Sequence, residues 1–233
     1  MNTLKKDARL AGFFYLVYFV LFFLADNGVH STSVGTGDAA QVASKIVTLE
    51  WLFRLGFISF LFAAVFFLLA AWALYRLLKV VDHDLALLFL LLNLAGVSIK
   101  CVSLLFELAA MLVLSDAEFL QAFQADQLQA MAILFLNLYK NGFMIANIFF
   151  GVWLFPLGYL VYKSGFLPKF LGILLLIDGA AILIWFFQAF FFPAYEFISY
   201  PLLVESFIAE ASLCLWLLIK GARENHPAMS GVG

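Results

Sequence analysis

Leu85-Ala-Leu-Leu-Phe-Leu-Leu-Leu-Asn93-Leu-Ala-Gly-Val-Ser-Ile-Lys100-Cys-Val-Ser-Leu-Leu-Phe-Glu107-Leu-Ala-Ala-Met-Leu-Val-Leu114 is the stretch that decides the fold. Its only charges are Lys100 and Glu107. A helix crosses the hydrocarbon core of a bilayer with about 20 apolar residues, so this stretch spans with length to spare. Asn93, Lys100 and Glu107 recur every seven residues, with Gly96 and Ser103 between them, which sets all of them on one helical face. The segment is therefore a membrane helix with a polar stripe. A charge near the bilayer centre costs at least roughly 2.5–3.5 kcal/mol, so such groups face one another, a cavity or water.

Working outward, five more stretches read the same way. The expected spans are Ala8–Ala25, Trp51–Lys79, Leu85–Leu114, Leu128–Tyr162, Phe170–Phe192 and Pro201–Lys220. Hydrophobic residues make up 66% of the chain and charged ones 12%, a balance that excludes a soluble domain of this length. The 29 phenylalanines read first as membrane embedding and only second as an aromatic ligand pocket. Cys101 and Cys214 both fall inside apolar segments and are expected as free thiols. Lys5, Lys6 and Arg9 before Leu10–Ala25 imitate a secretion signal. Phe23-Leu24-Ala25 lacks the small residue expected two positions before a cut, so the segment is read as a retained first helix.

The fold class expected is all-α: a polytopic bundle of six transmembrane helices with short amphipathic helices in the outer loops. Lys5, Lys6, Arg9, Arg76, Lys79, Lys163, Lys169, Lys220 and Arg223 flank one side of the spans, and Lys45 alone lies in a loop on the other. This asymmetry places both termini in the cytoplasm. Residues 1–223 are expected to form a single domain, followed by a disordered cytoplasmic tail over 224–233. In the outer loops, Gly37–Leu49 opens on Asp38 as an N-cap, Ser115-Asp-Ala-Glu118 has the form of a capping box, and Asp126 is a cap for the fourth span. Arg54-Leu-Gly-Phe57 and Lys140-Asn-Gly-Phe143 are each followed 22 or 23 residues on by a basic residue after tyrosine. That is a parallel repeat of hairpins, or a coincidence of an apolar sequence.

The polar groups are expected to converge between the membrane centre and the outer surface. The candidate ligand-binding residues are Lys100, Glu107, Asn137, Lys140, Asn141, Glu205 and Glu210. Glu50 and Arg54, one helical turn apart, are expected as a structural ion pair. Asp178, nearer the cytoplasmic end of its helix, is read as serving a separate inner vestibule or reaching to the interface. Interhelical polar contacts that merely fix register, at about 0.6 kcal/mol each, are the competing explanation for all of these.

No catalytic residue, metal site or cofactor is expected. The spans hold no histidine, which removes bis-histidine haem ligation; HExxH, nucleophile-elbow and glycine-rich phosphate motifs are missing. Asp82-His83-Asp84 reads as a solvated turn before it reads as a metal site. The expected partners are the lipid bilayer and a small-molecule or lipid ligand, with no nucleic acid. A small-residue face from Gly151 to Gly158 would pack within one bundle or between protomers of a homo-oligomer.

Glu50-Trp-Leu-Phe-Arg-Leu-Gly-Phe57, Gly158-Tyr-Leu-Val-Tyr-Lys-Ser-Gly-Phe-Leu-Pro-Lys169 and Leu215-Trp-Leu-Leu-Ile-Lys-Gly221 resemble a bacterial family, the domain of unknown function 4386. Its members share the opening basic segment with Leu-Ala-Gly and the six apolar spans. The resemblance implies that Glu50, Arg54 and Glu210 occupy recurrent family positions, and it carries no activity. The expectation is a multi-pass protein of the bacterial inner (cytoplasmic) membrane. It binds or transports a small polar or amphipathic solute through a charged outward-facing cavity. The alternatives are a non-catalytic sensor or assembly subunit with a structural polar core, and an intramembrane enzyme acting on a lipid.

Overall fold

The computed structural model describes residues 3–33, 39–115 and 117–223. The expected tail over 224–233 and the Asp38 cap lie outside the described residues. Among those described, the chain is all-helical: α1 (Thr3–Ser33), α2 (Ala39–Thr48), α3 (Glu50–Leu78), α4 (His83–Val113), α5 (Ala125–Lys163), α6 (Lys169–Phe191) and α7 (Ser199–Ile219). Two short 3-10 segments, Glu118–Leu120 and Pro193–Ile198, precede α5 and α7. Six helices are long and apolar enough to cross a membrane, and their limits lie within a few residues of those expected. With no water in hydrocarbon to pair with the backbone, a continuous helix is the form such stretches must take.

The caps differ from the expected ones. Ser115 donates its hydroxyl back to the carbonyl of Leu112, and the Glu118 turn has no side-chain cap. The start of α5 is held by Gln124 and Gln127: the Gln127 side chain accepts the Gln124 N–H at 3.0 Å, one half of a capping box. Asp126 lies inside the first turn and accepts the N–H of Gln127 instead. At α4 the cap is Asp82, whose carboxylate accepts the N–H of Leu85 at 3.0 Å.

The described chain forms two compact units. The first comprises Met1–Leu16, Phe66–Gly96 and Ala146–Gly233. A glycine seam joins the antiparallel helices α5 and α6 within it. Gly151 meets Gly179 and Gly158 meets Gly172, each pair offset by seven residues on its own helix. The small-residue face therefore packs within the chain. A Cβ on Gly172 would lie 2.6 Å from the carbonyl oxygen of Gly158 and 2.6 Å from the backbone nitrogen of Tyr162. In lipid, where no hydrophobic force drives helices together, such backbone approach is how they hold. Beside the seam, fully buried Trp153 sits edge-on to Phe67 at 5.3 Å, and Phe67 in turn contacts Tyr15. Gly12 lets α1 lie against the backbone of Leu218, and the Cys214 thiol lies 3.5 Å from the Gly12 carbonyl. At the basic end, Asp7 pairs with Arg76 at 2.9 Å. Gly221, at φ 68°, closes α7 with its N–H on the Trp216 carbonyl, the left-handed position that favours glycine.

The second unit comprises Val17–Val65 and Val97–Ile145. Here α2 is amphipathic, as expected of an outer-loop helix, and sinks Val42 and Ile46 into a core with Ala25, Phe53, Phe60, Leu104 and Met111. Gly142 gives α5 close access to Ser103 of α4.

The seam yields a stability prediction. Gly172→Ala, whose added carbon meets backbone on two sides, lowers the thermal midpoint in mild detergent by the equivalent of about 1–3 kcal/mol. Gly151→Ala, whose nearest contact is the movable Leu183 side chain at 3.0 Å, has a smaller effect. Equal midpoints for the two variants would show that the seam is not the tight contact described.

Candidate functional site

Lys100 enters the second unit from the middle of α4 and is 8% exposed. Its ammonium faces three phenyl rings: Phe22 at 4.5 Å, Phe143 at 4.9 Å and Phe60 at 5.0 Å from their centroids. Each ring face is a region of negative potential, and in a desolvated place each such contact contributes about 2 kcal/mol. The carboxylate whose charge acts most on Lys100 is Asp26 of α1, ahead of Glu107. Glu107 follows two helical turns along α4. It is fully buried, and neither carboxylate oxygen has a hydrogen-bond partner. Tyr139 of α5 stands close enough to feel the charges of both Glu107 and Asp26. This group brings together one ammonium, two carboxylates and a phenol, with three phenyl rings around the ammonium.

Above this group lies a cleft of about 360 Å³ between α2 and the outer ends of α4 and α5, with Ser44, Thr48, Ser115 and Gln129 among its lining residues. Glu107 is seven residues before Leu114 at the cleft floor, about 10 Å along the helix.

Asn93, Lys100 and Glu107 are all buried, so the stripe on α4 does turn inward. Asn137, Lys140 and Asn141 are all exposed along α5. Asn141 spends its amide on the carbonyl of Asn137 at 2.9 Å, one turn back. α5 begins at Ala125, three residues before the expected Leu128, and runs 39 residues. Counted from Lys163 at the basic end, Lys140 lies about 34 Å along the helix, past a hydrocarbon core of about 30 Å. There a lysine reaches headgroups and water without needing a buried partner.

Glu205 and Glu210 belong to the first unit, whereas Lys100 and Glu107 belong to the second. The carboxylates that act on Asp178 are Glu210 and Glu205, so Asp178 joins them and does not serve a site of its own. Glu50 accepts from the Arg54 guanidinium at 2.8 Å, with both side chains exposed. Asp82 is a helix cap. His83 contacts the Tyr75 hydroxyl at 3.2 Å and Asp84 at 3.1 Å, and no group of metal-ligating side chains occurs among the described residues. The phenylalanine wall and Asp26 escaped the sequence reading. Only Phe143 carried a signal, as the last residue of the Lys140-Asn-Gly-Phe143 repeat.

Six apolar spans with ionisable groups on their buried faces make this a multi-pass membrane protein. Residues 10–221 match the family described as Domain of unknown function (DUF4386), and the chain belongs to that family. An uncharacterized protein of Archaeoglobus fulgidus is 38% identical over 81 residues, which is 34% of this chain and 46% of that relative. The chain therefore spans less than half the length of that relative. No solved structure matches.

The exposed pair at the start of α3 has a small energetic role. Arg54→Ala is expected to change stability by no more than about 0.5 kcal/mol, the usual size for an exposed i,i+4 pair. Thermal unfolding of the purified variant checks this, and a loss several times larger would mark Arg54 as a structural anchor.

Proposed function

We propose that the protein binds a small amphipathic solute and carries it across the bacterial cytoplasmic membrane, with Lys100 and Glu107 at the binding site. One observation carries this reading: Glu107 is 0% exposed with neither oxygen hydrogen-bonded, beneath an outward cleft and on the same helix as an aromatic-walled ammonium. A carboxylate so placed weakens the fold, because breaking its contact with water costs several kcal/mol with no hydrogen bond in return. Gln or Leu would pack there at less cost. The group has the chemistry of a binding site: phenyl faces for an apolar body, the Lys100 ammonium for an anionic end, and Glu107 with Tyr139 for a donor or a proton. Asn137, Lys140 and Asn141, at headgroup depth, would meet an amphipathic molecule before it enters.

A second reading, a non-catalytic sensor or assembly subunit, is favoured by the outward polar stripe of Asn137, Lys140 and Asn141. Under it those residues meet a partner helix, and the buried charges only fix packing.

Purification in mild detergent followed by mass spectrometry of co-purifying small molecules tests the first reading. A specific molecule is expected with the wild type and with Lys140→Met, and is expected to be lost from folded Lys100→Met and Glu107→Gln. The same bulk-lipid profile in all four proteins would contradict the binding role.

A further inference from the structure

A second group of buried charges sits between α6 and α7, apart from the residues just assigned. Asp178 is 0% exposed, and neither carboxylate oxygen has a hydrogen bond. Its neighbours, in order of influence, are Glu210, the hydroxyl of Ser206 and Glu205, all from α7. Glu210 in turn faces the Tyr15 hydroxyl of α1 and the thiol of Cys214. The groups that act on Asp178 and Glu210 are thus carboxylates, two hydroxyls and a thiol.

Depth sharpens the point. Asp178 is nine residues from Lys169 and Glu210 ten from Lys220, so both lie about 14–15 Å from the basic boundary, at mid-membrane. Glu205 is one and a half turns farther out, about 22 Å from that boundary. The three carboxylates and the Ser206 hydroxyl therefore form a short ladder from the outer half of α7 to the centre of the bilayer.

Two carboxylates in one apolar site cannot both stay ionised without a counter-ion; a proton shared between them removes the conflict. A proton needs only the two carboxyl groups. We propose that Asp178 and Glu210 form a proton-binding site at the membrane midplane, with Glu205 and Ser206 leading to it from the outer half of α7. The step is a transfer between carboxyl groups: the proton leaves one carboxylic acid and joins the other carboxylate, with no change of oxidation state. Such a site gives the protein a means of coupling to the proton gradient. It involves neither Lys100 nor Glu107 and stands whether or not a solute binds there.

Dicyclohexylcarbodiimide, an apolar reagent that enters bilayers and reacts with protonated carboxylic acids, is the probe. Membranes containing the full-length protein are treated from mildly acidic to mildly alkaline pH, and adducts are mapped by peptide mass spectrometry. The expected result is an adduct on Asp178 or Glu210 whose yield rises on acidification. In Asp178→Asn, the pH dependence of labelling at Glu210 is expected to shift, because the partner that shared its proton is gone. A merely structural Asp178 would leave that profile in place, and an unshifted profile in folded protein overturns the proposal. So does labelling confined to exposed carboxylates such as Glu118 and Glu196. Suppression of labelling by sodium ions at constant pH would assign the site to sodium and likewise overturn it. No solute enters the measurement, so its outcome is independent of the co-purification experiment.

Discussion

Hydrocarbon offers no partner to a polar group, and every feature of this protein answers to that constraint. Backbone polarity is satisfied by running as continuous helix through six spans. Helices cannot be driven together by expelling water from lipid, so they hold by close fit, which is why Gly151, Gly158, Gly172 and Gly179 line one seam and Gly12 another. Side-chain charge is the part that cannot be met by helix formation, and it has gathered into two groups with different chemistry.

Around Lys100 the charge is of both signs. An ammonium is wrapped by Phe22, Phe60 and Phe143, with Asp26 and Glu107 as its acidic neighbours. That is a mixed environment, apolar on its walls and ionic at one end, suited to a molecule built the same way. Around Asp178 the charge is all of one sign, with only hydroxyls and a thiol beside it. The first group is suited to recognising a solute and the second to holding a proton.

The spans were legible in the sequence because length and apolarity are sufficient signals for a membrane helix; their observed limits fall within a few residues of those read from composition alone. Membership of the family was legible too, from the motifs at Glu50, Gly158 and Leu215. The neighbours of each charge were not. Both sides of α5 are apolar enough that its polar residues gave no sign of which way they turn, and Lys140 is exposed. α5 also starts three residues before the expected Leu128, in a run where the Gln127 side chain accepts the Gln124 N–H. Asp178 was set apart from Glu210 because helix neighbours around a bundle leave no trace in a single sequence. The aromatic wall around Lys100 was hidden for a different reason: among 29 phenylalanines, three that face a cation look like the rest.

If Glu107 and Asp178 serve binding, as proposed, their buried charge weakens the bundle. Thermal unfolding of Glu107→Gln and Asp178→Asn in the same detergent as the wild type tests it most directly, since both changes keep the shape and remove the charge. The account predicts midpoints equal to or above that of the wild type in both variants. A clear fall in either would mean that the carboxylate holds helices together, and that its place in the membrane is a matter of packing.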